Sequence, residues 1–255
     1  MNLLAKDISF GYSTHKPVLR NLTFEVQGGK VTALFGPNGC GKSTLLRCMN
    51  GSLRAQSGHV ALGSQPLNSM SAREIARQIA VVPQDTPTDV PFTSGQMVML
   101  GRYARSETWG QESAQDVEVV QSCLSQVHAA DLANRFFSQL SGGERQRVVI
   151  ARALAQQGGV LLLDEPASNL DISHQLELYG FVRQLALEGQ AVLMVCHDLL
   201  LAPMFVDTAA LMLEGRIIAA GGVTDVLTPA NVLAAFGTHA EISWTSQGVV
   251  QARLM

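Results

Sequence analysis

Four short runs in this chain are apolar at nearly every position: Val31–Phe35, Ile79–Val82, residues 160–163 and residues 191–196. Such unbroken aliphatic runs predict strands buried on both faces, and strands of that kind belong to parallel sheets covered by helices. Elsewhere the period changes. Residues 21–26 (Asn21-Leu22-Thr23-Phe24-Glu25-Val26) alternate polar and apolar, as a half-buried strand does, before Gly28-Gly29 turns the chain into the first buried run. Residues 58–63 predict a short strand between glycines, and residues 209–218 a hairpin turning at Glu214-Gly215. Ser71 and Glu74 have the spacing of a capping box and open a helix to about Gln78. Further helices are predicted from residue 140 through Leu154, from Ile172 behind an Asp171 cap towards Leu187, and from Thr228-Pro229.

Residues 85–140 differ from the rest. A loop containing proline and threonine leads into helical spacing, with Val117, Val120, Leu124 and Val127 on one stripe of a helix over residues 111–130. Met97 and Met99 are most simply core filler. The expected organisation is one α/β domain over residues 1–240. Its core comprises 1–84 and 141–240, with an antiparallel β region at the N-terminus, an inserted helical subdomain at 85–140 and a tail at 241–255.

Each buried strand ends in residues of a chemical type. After Phe35 comes Gly36-Pro37-Asn38-Gly39-Cys40-Gly41-Lys42-Ser43, which fits G-x-x-x-x-G-K-[ST], with Thr44 continuing into a helix. A glycine-rich turn can aim several N–H groups at one point, and the helix N-terminus adds partial positive charge, so the segment suits a polyphosphate. Lys42 is expected on the β- and γ-phosphates and Ser43 on Mg²⁺. The other strands end at Gln84, Asp164-Glu165 and His197. Ligands of open α/β sheets bind beyond the carboxyl ends of the strands, so these residues converge on one site. Asp164 is expected to hold Mg²⁺ and Glu165 to act as general base on an attacking water. Gln84 can orient that water or complete the metal shell, and His197 can hydrogen-bond a γ-phosphate oxygen.

Composition narrows the picture. Hydrophobic residues make up 47% of the 255 and charged ones 15%, which fits a folded chain with an ample core. A net charge of -3 argues against a general nucleic-acid-binding surface. Cys40, Cys48, Cys123 and Cys196 show neither C-x-x-C nor zinc spacing, so free thiols in a reducing cytosol are expected. Met1 to Asp7 lacks the layout of a signal peptide, and no unbroken apolar run approaches a membrane span. A soluble chain, able to sit on a membrane protein, is expected.

Ser141-Gly142-Gly143-Glu144 is a capping box by spacing, but two glycines behind the cap expose N–H groups at a helix N-terminus, a second anion-binding device. Either two anions bind, or one nucleotide is sandwiched between two copies of the chain.

Taken together, Tyr12, the loop at 36–44, Gln84, LSGGERQR at 140–147, VLLLDEP at 160–166, SNLD at 168–171 and His197 resemble, in content and order, the nucleotide-binding subunit of an ATP-binding-cassette transporter. The resemblance runs from Tyr12 to about Gly237 and implies a P-loop NTPase fold with ATP and Mg²⁺ as ligands. It further implies that Tyr12 stacks on adenine, that Gln84 senses the γ-phosphate, and that Ser141, Gly142 and Gly143 meet the nucleotide of a second copy with Asp171 at the interface. ATP would then sit in a head-to-tail homodimer whose closure drives polytopic permease subunits, served indirectly by a substrate-binding protein, at the cytoplasmic face of the inner membrane. GPNGCGKSTLL, MLGRY at 99–103 and LDISHQLEL at 170–178 are similar to importers of iron–siderophore complexes, haem and cobalamin, and to a molybdate branch. Pro91-Phe92-Thr93 is expected near the permease contact. The rival from another class is a soluble cassette ATPase assisting cofactor or complex assembly.

Overall fold

A computed structural model describes residues 1–13, 16–106, 112–168, 170–237, 240–244 and 250–254, the last two segments as backbone only. Gln111, where helical spacing begins in the sequence, and Asn169 lie outside the described residues. The chain runs β1 Leu3–Phe10, β2 Leu19–Val26, β3 Val31–Phe35, α1 Lys42–Met49, β4 Ser57–Leu62 and β5 Gln65–Pro66. It continues through α2 Ala72–Gln78, β6 Ile79–Val82, α3 Ser94–Met99, α4 Ala114–Gln126 and α5 Gly142–Ala155. Then follow β7 Val160–Asp164, α6 Ile172–Leu187, β8 Ala191–Val195, β9 Thr208–Leu213, β10 Arg216–Gly222, α7 Val223–Val226 and α8 Pro229–Phe236. Ala240–Trp244 (β11) and Val250–Leu254 (β12) pair antiparallel within the segment that the sequence leaves as a featureless tail.

The four aliphatic runs are neighbours. Among the described residues the larger sheet has the order β10-β9-β3-β8-β7-β6, with β6, β7, β8, β3 and β9 parallel and β10 antiparallel at the edge. Sequence patterning finds the β9–β10 hairpin; the structure adds that β9 pairs with β3 and so extends the parallel sheet. Alternate residues of each strand enter two separate cores. Val31, Ala33, Phe35, Leu161, Leu163, Val192 and Met194 face the core shared with α4, α5 and α6. Leu34, Val160, Leu162, Leu193 and Val195 face α1 and the antiparallel sheet β2-β1-β4-β5. Burial on both faces is why these strands carry no polar alternation. By contrast β2, wet on one side, shows it clearly.

Helix α4 begins later than the apolar spacing suggests, at a Ser113 cap, because Ser113 and Asp116 form a capping box there. Val120, Leu124 and Val127 are buried as expected, joined by Cys123, but Val117 lies on the exposed face. It sits one position after Asp116, whose carboxylate is turned inward onto Arg102. The Arg102 Nε donates to Asp116 Oδ1 at 2.8 Å with both side chains buried, and the guanidinium holds the Asp116 carboxyl below its ordinary value. A depressed carboxylate adds stability that is present above its unfolded pKa and is lost as pH falls through the folded one. Asp116→Asn is therefore expected to cost about 3 kcal/mol at neutral pH, because it removes the only counter-charge bonded to the buried Arg102 guanidinium among the described residues. The cost should shrink only below about pH 4. Denaturant titration at pH 7 and pH 3.5 reads both; an equal deficit at the two pH values would contradict the ion-pair account.

Candidate nucleotide site

The phosphate loop connects β3 to α1, and its geometry explains its glycines. Gly36 has φ 151°, and a Cβ there would lie 2.3 Å from the Met212 carbonyl oxygen. Gly41, the residue before α1, has φ 112° and sits against the Met212 and Leu19 side chains. Only glycine fits both the dihedrals and the space. The turn of the β9–β10 hairpin braces the loop from outside, where the Gly215 N–H donates to the Cys40 carbonyl at 3.0 Å. Sequence reasoning finds that turn but not its place against the loop; the tight Glu214-Gly215 pair is the only sign of it in the sequence.

Lys42 is buried, and its Nζ donates to the carbonyls of Gly36 at 2.8 Å and Pro37 at 3.0 Å. The ammonium therefore stands inside the curl of the loop, where phosphate oxygens would compete for its protons. Ser43 Oγ donates to Asp164 Oδ1 at 3.3 Å, which joins the loop to the end of β7. Burial raises the Asp164 carboxyl above its ordinary value; the Ser43 hydrogen bond lowers it, and the neighbouring Glu165 charge raises it further. Two hard oxygen donors side by side, one a carboxylate short of positive charge, are the donor chemistry that Mg²⁺ takes.

Glu165 turns away from the strand with φ 52°, an unfavourable backbone state for a residue with a side chain. Its N–H donates to the Val195 carbonyl on β8 at 3.2 Å. The carboxylate is bridged on both oxygens: Gln84 Nε2 donates to Oε2 at 2.8 Å, and His197 Nε2 contacts Oε1. Three strand ends thus meet at one carboxylate, the convergence that the sequence pattern predicts for Gln84, Asp164-Glu165 and His197.

Tyr12 is 62% exposed, stands edge-on to Phe10 with ring centroids 5.1 Å apart, and lies 3.4 Å from the Thr44 hydroxyl through its own. An exposed aromatic face is thereby placed beside the end of the phosphate loop. Cys40, inside the loop, is buried, and burial pushes its thiol up, which suits a small packed residue rather than a reactive one. Cys40, Cys48, Cys123 and Cys196 are all free.

Ser141 and Asp171 have local hydrogen bonds. Ser141 Oγ accepts from Glu144 N at 3.4 Å while Glu144 Oε2 accepts from Ser141 N at 2.7 Å, and Asp171 Oδ1 accepts from His174 N at 3.0 Å. A Cβ on Gly142 would meet nothing within 4 Å, and one on Gly143 would touch only Leu170 at 3.7 Å. The two glycines therefore do not relieve crowding within the chain. They leave an open, N–H-rich helix end facing outward, where a ligand can approach closely.

A model of the family described as ABC transporter matches residues 19–168. The chain belongs to that family. This ABC cassette is 36% identical over 242 residues to the iron(3+)-hydroxamate import ATP-binding protein FhuC of Bacillus subtilis, with 94% of this chain and 90% of that one covered. It is 39% identical over 226 residues to the cobalamin import ATP-binding protein BtuD of Halobacterium salinarum. That match takes in 88% of the cassette but 56% of the relative, so the chain spans about half of that protein's length. Among solved structures, a metal-chelate type ABC transporter in an inward-facing conformation superposes with a TM-score of 0.84 at 26% identity, over 99% of the cassette and 96% of that chain. The chain is accordingly an ABC cassette, and these relatives are named as ATP-binding import proteins. No described helix is long and apolar enough to cross a membrane.

Proposed function

We propose that this cassette hydrolyses ATP to power import of a metal chelate, of the iron–siderophore, haem or cobalamin kind, through a membrane permease. The observation that carries the catalytic part is the Glu165 carboxylate, held between Gln84 and His197 one residue beyond the Ser43–Asp164 contact. The backbone N–H groups of residues 38–44 and the Lys42 ammonium bind the phosphates, and Tyr12 offers its exposed ring to adenine. Mg²⁺, held by Ser43 and Asp164 with Gln84 near, would neutralise charge on the phosphates. Glu165 takes a proton from the attacking water as the water oxygen bonds to the γ-phosphorus and the bond to the β-phosphate oxygen breaks, giving ADP and phosphate. His197 steadies the carboxylate through Nε2 and can donate to a γ-phosphate oxygen by exchanging that contact.

The outward-facing helix end at Ser141, Gly142 and Gly143, with Asp171 beside it, serves the nucleotide held by a second copy. A head-to-tail homodimer therefore completes each site. Residues 85–140 act as the helical subdomain that receives the permease, and 1–84 with 141–240 as the nucleotide-binding core. The cassette then works at the cytoplasmic face of the inner membrane, served indirectly by a substrate-binding protein. The names of the relatives favour a chelated metal as cargo; a molybdate importer is the neighbouring possibility within the same lineage.

Purification of the tagged chain from its native membranes in mild detergent tests this. A stoichiometric multi-span partner is expected, and metal analysis of its bound cargo then narrows the substrate. A soluble partner, or none with the ATPase active alone, would instead favour an assembly factor.

A further inference from the structure

Guanidinium-to-carbonyl hydrogen bonds tie the segment 100–106 to helices on either side of it. Arg105 donates from Nε to the Gln156 carbonyl at 2.6 Å, and from Nη2 to the carbonyls of Gln157 at 2.7 Å and Arg77 at 3.0 Å. In return Arg73 and Arg77 donate through Nε to the Ala104 carbonyl at 3.0 and 2.7 Å. One guanidinium thus caps the C-terminal ends of α2 and α5 together, where helix carbonyls lack partners and carry negative potential. The arrangement is costly. Burial, and then the charges of Arg102 and Arg77, lower the pKa of Arg105; Arg102 has the Asp116 carboxylate as partner, whereas Arg77 and Arg105 are met by backbone oxygens.

Its position gives this knot a use. Helix α5 is 14 residues long, roughly 20 Å, and its other end is the open Gly142-Gly143 turn. Its middle, Val148 to Ala151, is buried, and one unbroken helix joins the two ends. The same segment, with Ala72 and Arg73 of α2 and Gln156 at the end of α5, lines a 660 Å³ cavity together with Phe92 and Met99. Arg105 therefore holds the C-terminal end of the helix whose N-terminal end carries Ser141–Gly143.

We propose that Arg105 is a positioning residue for ATP-driven dimer closure: by locking α5 to α2 and to the segment 100–106, it aims Gly142 and Gly143 at the nucleotide of the second copy. This rests on the head-to-tail dimer proposed above. Arg105 hydrogen-bonds Gln156, Gln157 and Arg77 rather than the phosphate loop, so nucleotide affinity and closure should separate when it is changed.

The test uses the full chain carrying Glu165→Gln, which is expected to close on Mg-ATP without turning it over. Monomer affinity is read with a fluorescent ATP analogue, and dimerisation by light scattering against ATP concentration. Adding Arg105→Ala should leave monomer affinity within about twofold while raising the ATP midpoint for dimerisation roughly tenfold. Arg105→Lys, which keeps the charge but cannot fork across two helix ends, should fall between. An unchanged midpoint, or a midpoint and monomer affinity that shift in parallel, would overturn the positioning role. A Glu165→Gln parent that binds ATP yet never dimerises would overturn the head-to-tail reading first.

Discussion

Glu165→Gln is expected to cut steady-state ATP hydrolysis by at least about 100-fold while leaving ATP binding intact. Glutamine keeps the size of the side chain and can still face Gln84, but its amide cannot take a proton from water at neutral pH, and loss of a general base typically costs two to four orders of magnitude. The side chain is already positioned by Gln84 and His197, so the substitution changes chemistry more than shape. Phosphate release measures turnover, and size-exclusion in Mg-ATP should show a trapped dimer. Hydrolysis at the wild-type rate would remove Glu165 from the role of base.

Lys42→Ala should act earlier, on binding. The ammonium is the one buried side-chain cation in the phosphate loop, already held by two loop carbonyls that phosphate oxygens would join or replace. A charge-assisted hydrogen bond is worth about 1.5–3 kcal/mol, so ATP affinity should fall roughly 10- to 100-fold. Fluorescent-ATP titration gives the number, and circular dichroism verifies the fold. Affinity within twofold of wild type would place the phosphates elsewhere.

Much of this site is legible in the sequence because both of its ingredients are local. Strands buried on two faces stand out as aliphatic runs, and in a parallel sheet their ends gather at one edge, so Gln84, Glu165 and His197 can be brought together without coordinates. The capping residues Ser71, Ser141, Asp171 and Thr228 are legible for the same reason, since each satisfies N–H groups only a few residues away. What escapes is long-range and polar. Nothing in the neighbourhood of Gly215 says that its N–H meets Cys40, and no periodicity marks Arg105 as the link between α2 and α5. Val117 shows the limit of spacing alone: it lies on the apolar stripe by count but is turned outward in the helix that the inward Asp116 fixes.

The place of β3 in its sheet has a consequence for how the chain is made. Its hydrogen-bonded neighbours are β8 and β9, which begin at Ala191 and Thr208, and the loop's outer brace is Gly215. On the ribosome, at about 5–20 residues per second, the strand that delivers the nucleotide loop is finished on the order of ten seconds before either neighbour exists. During that interval its aliphatic edge is unpaired, the kind of surface that recruits stray strands. The nascent chain thus carries its nucleotide motif early but acquires the sheet that gives the motif its shape only when residues 191–213 follow, and premature termination anywhere before that point leaves the motif without a scaffold.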